Sequence, residues 1–196
     1  NKVHKIWAIS EEKSDHMSHV YSHKRAGMID NSVRRLIHNP IKMFKSYIKP
    51  GMKVLDLGCG AGFVSIGLAT LVGESGEVTS VDLQQEMLDM LQKKAIKAGL
   101  SKRIKLHKCR ENSIGLYGEY DFAVAFYLIH EVPDTGLFAS EVFSLLKSDA
   151  AFYVIEPSHR VTREDFDKMT RIFMDTGFVF FQEPYVPFSR AVVLKR

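Results

Sequence analysis

Three glycines at alternate positions, Gly58, Gly60 and Gly62, follow directly on an apolar stretch that ends in an acidic residue, Val54-Leu55-Asp56-Leu57. Glycine lacks a Cβ, so such a turn adopts backbone angles and close contacts that side chains forbid, and a ligand can lie on the main chain itself. The spacing is G-x-G-x-G, whereas a pyrophosphate-binding turn asks for G-x-G-x-x-G. A carboxylate at Asp56 would repel a pyrophosphate and favour a cationic amino group. About twenty residues after the loop a second short apolar stretch, Glu77 to Asp82, also ends in a carboxylate, where a ribose diol would find an acceptor for its hydroxyls. Further on, Tyr127, His130 and Glu131 close an apolar run, and a neutral imidazole or a carboxylate there suits proton removal near pH 7.

These groups need a scaffold, and the hydrophobic pattern supplies one. Val54 to Leu57 reads as a buried strand and Phe63 to Val72 as a helix broken by Gly73-Glu74-Ser75-Gly76. Gln84 to Ala98 places Met87, Leu88, Leu91 and Ala95 on one helical face, with Gly99 as its C-cap. Arg103 to Lys108 alternates basic and apolar residues as a strand with one wet face. Tyr120 to Tyr127 is apolar enough for a central strand covered on both faces. Thr135 to Leu146 is a helix, Lys147-Ser148-Asp149-Ala150 a turn, Ala151 to Glu156 a strand and Pro157 to Arg160 a loop on the same edge. Arg163 to Thr176 is a helix stopped by Gly177, and the pair Phe178 to Gln182 and Ala191 to Lys195 closes the chain. Upstream, Asp30, Asn31 or Ser32 can cap a helix with Val33, Leu36 and Ile37 on one face and Arg34 and Arg35 on the other, which His38-Asn39-Pro40 ends. Ile41 to Ile48 is a second short helix before the Lys49-Pro50-Gly51 turn.

With Asp56-Leu57-Gly58-Cys59-Gly60-Ala61-Gly62 and the Asp82 strand end in these places, the chain resembles the class I S-adenosylmethionine-dependent methyltransferases, over roughly residues 40 to 196. The resemblance implies an α/β fold, a three-layer α/β/α Rossmann-like sandwich on a seven-stranded, mostly parallel sheet of order 3-2-1-4-5-7-6 with an antiparallel last strand. It implies a cofactor-binding domain over residues 50–196, with residues 1–49 as a helical arm or lid rather than a separate domain. Asp56, Gly58, Cys59, Gly60 and Gly62 would hold the methionine moiety and Asp82 the ribose, with Leu83, Met87, Arg110, Glu111 and Phe126 as further cofactor contacts. The chain departs from the family where a Gly-Asp or Asn-Asp pair usually meets adenine: it has Cys109-Arg110-Glu111-Asn112. Glu111 as acceptor and Arg110 as a stacking group both remain open there. It departs again at Lys147-Ser148-Asp149-Ala150, where Lys-Pro-Gly-Gly is usual. Leu128-Ile129-His130-Glu131-Val132-Pro133 is similar to the ubiquinone-biosynthesis-like group, whose histidine-rich stretch lies beside the transferable methyl. The implied reaction is an in-line displacement that leaves S-adenosylhomocysteine, with His130 or Glu131 taking a proton where the acceptor arrives protonated. Tyr21, Arg34, Arg35, His38, His159 and Arg160 are candidates for substrate contact.

Composition narrows the partners. The 196 residues suit one domain with its own core. No apolar run reaches the length of a membrane span, and no leader pattern opens the stretch. Cys59 and Cys109 sit in separate motifs, so a reducing, cytoplasmic location is expected. Residues 1–49 hold ten Lys/Arg against four Asp/Glu, a balance of +6, and the remainder seventeen against nineteen, a balance of −2, so the basic excess belongs to the arm. A basic arm could meet RNA. The Asn-Pro-Pro-Tyr signature of base-amine methylation is absent, however, so a small-molecule acceptor is preferred to nucleic acid. A non-catalytic cofactor-binding domain is a further alternative; a dinucleotide oxidoreductase is disfavoured by the glycine spacing. His16, His19 and His23 would share a face if helical, but without cysteine or a second cluster no metal is expected there. Nothing in the sequence speaks to oligomeric state.

Overall fold

The structure, a computed structural model, describes residues 37–196. The cap at Asp30 to Ser32, the contacts proposed for Tyr21, Arg34 and Arg35, and the histidines at 16, 19 and 23 lie outside the described residues. The elements in chain order are α1 (Pro40–Phe44), β1 (Lys53–Leu57), α2 (Phe63–Leu71), β2 (Glu77–Asp82), α3 (Gln85–Lys97), β3 (Ile104–Lys108), β4 (Tyr120–Phe126), α4 (Thr135–Leu145), β5 (Leu146–Pro157), α5 (Arg163–Asp175), β6 (Val179–Gln182) and β7 (Ser189–Lys195). The seven strands form one sheet of order β3-β2-β1-β4-β5-β7-β6, as the resemblance implies. Strands β1 to β5 pair in parallel, and β7 runs antiparallel to both β5 and β6.

Period-two alternation explains why both faces of the central strands are dry. Phe122, Val124 and Phe126 of β4 and Tyr153 and Ile155 of β5 enter the core shared with α1, α2 and α3. Ala123, Ala125, Phe152 and Val154 enter the opposite core with Val142 and Leu145 of α4 and Phe166 and Phe173 of α5. Each face needs its own layer of helices, which gives three layers. On the first face, Pro40 at the start of α1 approaches α2 so closely that a Cβ on Gly67 would stand 2.6 Å from the Pro40 Cβ. Phe44 and Ile48 are buried in that same core.

Two local expectations are corrected. Lys147 to Ala150 is not a turn ahead of the strand but part of β5, which begins at Leu146. Its register against β4 passes from Tyr120↔Leu146 to Phe122↔Ala151, a bulge with Asp149 in the left-handed region at φ 63°. Asparagine and aspartate tolerate that conformation better than most residues, so the bulge replaces the glycine turn without disturbing the sheet. The helix expected over Ile41 to Ile48 is shorter and starts earlier: Asn39 accepts from the Lys42 amide as N-cap, and Pro40 takes the first helical position. No helix among the described residues is long and apolar enough to cross a membrane.

Candidate functional site

Between β1 and β4 the strand order reverses, and open α/β sheets bind ligands in the crevice at the carboxyl ends of such strands. The turn after β1 is the glycine loop, and the turn after β4 carries Tyr127 to Glu131. They pack directly: a Cβ on Gly58 would lie 2.6 Å from Leu128 Cδ1. A Cβ on Gly62, at φ 85°, would similarly run into Leu91 Cδ1, so the loop is seated on α3. Gly60 differs from both. At φ 50° it also needs glycine, but its Cβ position meets nothing within 4 Å. The loop is thus packed at both ends and open in the middle, where a ligand would lie on the backbone.

Two carboxylates back this shelf. Asp82 Oδ2 accepts from the Gly60 amide at 2.8 Å and Oδ1 from the Gln84 amide at 2.9 Å. Burial raises the Asp82 carboxyl above its ordinary range, and the amides of Gln84, Gly60 and Leu83 oppose that. The carboxylate retains lone pairs for further donors at the rim of the loop. Asp56 lies deeper, 1% exposed, with its Oδ2 accepting from the Ser65 hydroxyl at 2.5 Å and that hydroxyl accepting from Ser80 at 3.0 Å. Burial pushes its carboxyl up to about 7, partly opposed by Ser65 and reinforced by Asp82. Asp56 therefore stands behind the loop rather than on its open side. Cys59 is buried and its thiol is held well above the usual range, while Cys109 is pushed up to about 11, both chiefly by burial. Both are protonated at neutral pH and are not nucleophiles as they stand.

Of the remaining expected cofactor contacts, Met87 is buried and Leu83 half-buried beside Asp82. Phe126 stacks on Tyr127 at 4.3 Å and faces Phe63 at 5.8 Å. Arg110 and Glu111 are exposed in a tight turn: Arg110 and Ser113 exchange backbone hydrogen bonds, with Glu111 and Asn112 at the tip. Glu141 of α4 pins this turn by accepting from the Ser113 hydroxyl at 2.9 Å and the Ile114 amide at 2.5 Å. The Cys109 amide donates to the Asp82 carbonyl, which ties the turn to the rim of the loop.

On the β4 side, Tyr127 takes a positive φ of 61°, an uncommon conformation for a bulky residue. Its amide donates to the Ile155 carbonyl, and its hydroxyl pairs with that of Ser189 at 2.7 Å. The next turn, Ile129–Glu131, is 3-10 helical. His130 Nδ1 bonds Glu156 Oε2, while Glu156 Oε1 accepts from the Leu128 and Ile129 amides at 3.1 and 2.7 Å. Glu156 is 0% exposed at the end of β5, and these partners satisfy both of its oxygens there. His130 Nε2 lies 3.4 Å from the Arg160 guanidinium and 3.8 Å from Glu131, which itself lies 3.9 Å from Arg160. Burial raises the Glu131 carboxyl, against His130 and Arg160. His159 is exposed, and His38 is buried with Nε2 bonded to the Pro187 carbonyl at 2.8 Å. The sequence reading misses Glu156: a glutamate ending an apolar strand signals nothing until the sheet order places it under His130.

An open glycine shelf backed by the buried Asp56 and rimmed by Asp82, facing a histidine turn across the strand reversal, is the setting for the comparison with known proteins. The methyltransferase-domain family matches residues 48–180. The chain belongs to that family. It is 34% identical over 119 residues to the demethylmenaquinone methyltransferase of Lactobacillus johnsonii, a match covering 60% of this chain and 49% of that enzyme. It is 26% identical over 168 residues to a ubiquinone/menaquinone biosynthesis C-methyltransferase of Shewanella piezotolerans, covering 81% of this chain and 66% of the relative. The chain thus spans about half the length of the first of these methyltransferase relatives and 66% of the second. Among solved structures, a SAM-dependent methyltransferase from Aquifex aeolicus superposes with a TM-score of 0.81 at 28% identity, covering 89% of this chain and 98% of that one. The class I fold and its cofactor, S-adenosylmethionine, stand as the sequence reading expects them.

Proposed function

We propose that this chain transfers the methyl group of S-adenosylmethionine to a small-molecule acceptor by in-line displacement. The observation that carries the reading is the Gly60 shelf, open above its backbone and rimmed by Asp82, set beside the His130 turn at the strand reversal. Gly58, Gly60 and Gly62 would let the methionine moiety lie on the main chain, with Cys59 in the same turn and Asp56 behind it, where a bound cation would favour its ionised form. Asp82 would take the ribose hydroxyls, Leu83, Met87 and Phe126 would line the nucleoside, and Arg110 or Glu111 would reach the adenine from the turn that Glu141 holds. S-adenosylmethionine supplies an already activated methyl, so holding donor and acceptor in line supplies much of the catalysis. His130 or Glu131 would remove a proton from an acceptor that carries one, with Tyr127 at the wall.

The names of the relatives bring the acceptor toward a quinol-like ring, and the basic arm that would favour RNA lies mostly outside the described residues. Incubation with methyl-labelled S-adenosylmethionine and a cell extract split into small-molecule, RNA and protein fractions tests the reading. Label in the small-molecule fraction is expected. Label in RNA alone, or none in any fraction while the cofactor still binds, would replace it with one of the alternatives.

A further inference from the structure

The imidazole of His130 lies between two groups that each have only one hydrogen-bonding role. An ionised carboxylate can only accept, and a guanidinium can only donate. Nδ1 faces Glu156 Oε2, and Nε2 faces the Arg160 guanidinium at 3.4 Å. Glu156 is already committed, its other oxygen accepting two backbone amides, so it cannot swing away from the ring. Glu156 and Arg160 demand the same tautomer, proton on Nδ1 and lone pair on Nε2, while Glu131 Oε1, 3.8 Å from Nε2, lies beyond hydrogen-bond reach of it. Glu131, the other candidate base, has Arg160 at 3.9 Å and is a charge partner in the same cluster.

Building on the methyl-transfer reading above, we propose that Glu156 is the positioning residue that makes His130 Nε2 the general base, and that the acceptor is an ionisable hydroxyl of the phenol or enol class whose anion Arg160 stabilises. The hydroxyl proton passes to Nε2. The electron pair it leaves, on oxygen or delocalised to the adjacent ring carbon, forms the new bond to the methyl as the sulfur keeps the pair of the broken carbon–sulfur bond. The imidazolium then returns its proton to solvent. The charged and titratable groups around the ring are Glu156 from β5, Glu131 from its own turn and Arg160 from the loop after β5, with Asp82 acting on Glu131 from the β2 edge.

The deciding measurement is a two-bond ¹H–¹⁵N correlation spectrum of protein labelled with ¹⁵N-histidine, recorded at a pH where the ring nitrogen shifts themselves report the neutral form. His130 is assigned by the loss of its signals in His130→Gln. In the wild type, Nδ1 should be pyrrole-like and Nε2 pyridine-like, with that form favoured by about tenfold or more, as a hydrogen bond to a carboxylate predicts. In Glu156→Gln, the Leu128 and Ile129 amides hold the new side chain's oxygen, so its NH₂ faces Nδ1 and the tautomer should invert. Glu156→Asp, still an acceptor alone, should keep the wild-type tautomer. A pyridine-like Nδ1 in the wild type, or an unchanged pattern in Glu156→Gln, would overturn the assignment; the wild-type spectrum decides even if the variant does not fold. Calorimetry with S-adenosylmethionine reports separately: affinity should stay within about twofold in Glu156→Gln, and a wild type that binds none would overturn the methyl-transfer reading whatever the tautomer. A labelled product methylated on a hydroxyl or on the carbon beside it supports the acceptor class, and a methylated amine or thiol overturns it.

Discussion

Asp56 is 1% exposed and its carboxyl is pushed from 3.8 to about 7, chiefly by burial. Its proton is therefore held in the folded protein and released in the unfolded chain at any pH between those two values. The stability it contributes is fully present below 3.8 and is lost as pH rises through about 7. Above that, the folded state bears a cost on the order of 4 kcal/mol. Asp56→Asn cannot ionise, so relative to the wild type it should gain most of that amount between about pH 4 and pH 8, read as the difference in urea unfolding free energy of the cofactor-free protein at the two pH values. An equal effect at both would mean that the carboxylate stays ionised throughout. For Gly60 and Asp82 the proposed cofactor contact makes ligand affinity the readout. Gly60→Val fills the open middle of the loop and should abolish S-adenosylmethionine binding in calorimetry. Because Gly60 has a positive φ, the control is Gly99→Val, which shares a positive φ of 69° and an uncrowded Cβ position but lies beyond α3. That variant should bear the backbone strain and keep its cofactor affinity. Asp82→Ala removes a charged acceptor and should weaken binding by about 10- to 100-fold.

At the level of elements, close approach decides where small residues stand. Helix α2 carries Gly67 in its interior, where Ala would ordinarily be better by about 1 kcal/mol. Yet a Cβ there would stand 2.6 Å from the Pro40 Cβ and 3.5 Å from the Ile41 amide nitrogen of α1. Gly67→Ala should therefore destabilise the fold by about 1–3 kcal/mol, because the crowding exceeds the propensity gain. Denaturant unfolding checks this, and a more stable variant would show that α1 moves aside freely. The same logic bears on what the sequence can display. Gly58, Gly60 and Gly62 are legible because a backbone requirement writes itself as a residue type at fixed spacing, and Asp82 because it closes an apolar strand at the expected distance. Glu156 and Glu141 are not, since each acts on a turn 26 to 28 residues away that only the sheet order brings near. The start of β5 is missed for a third reason. Lys147-Ser148-Asp149-Ala150 has the polarity of a turn, while the structure absorbs it as a bulge with Asp149 in the left-handed region.

Across the sheet, the strand order places the two turns of the site on neighbouring strands with one core behind each face. Cofactor binding should then report on the entire cooperative unit. A ligand at 100 times its Kd adds about 2.7 kcal/mol to the folded state. For a domain of this size each kcal/mol moves the midpoint by about 2–4 °C, so S-adenosylmethionine at that level should raise Tm by about 5–10 °C. NAD at the same concentration should leave it unmoved, because the Asp82 carboxylate at the rim of the loop would repel a pyrophosphate and the glycine spacing is not that of a pyrophosphate-binding turn. Thermal melts with each compound, on the wild type and on Asp82→Ala, give four outcomes from one instrument. A shift with S-adenosylmethionine that Asp82→Ala loses ties the effect to the loop. A shift with NAD instead would mean that the strand reversal seats a dinucleotide, and that the Asp82 carboxylate does not govern what the sheet edge binds.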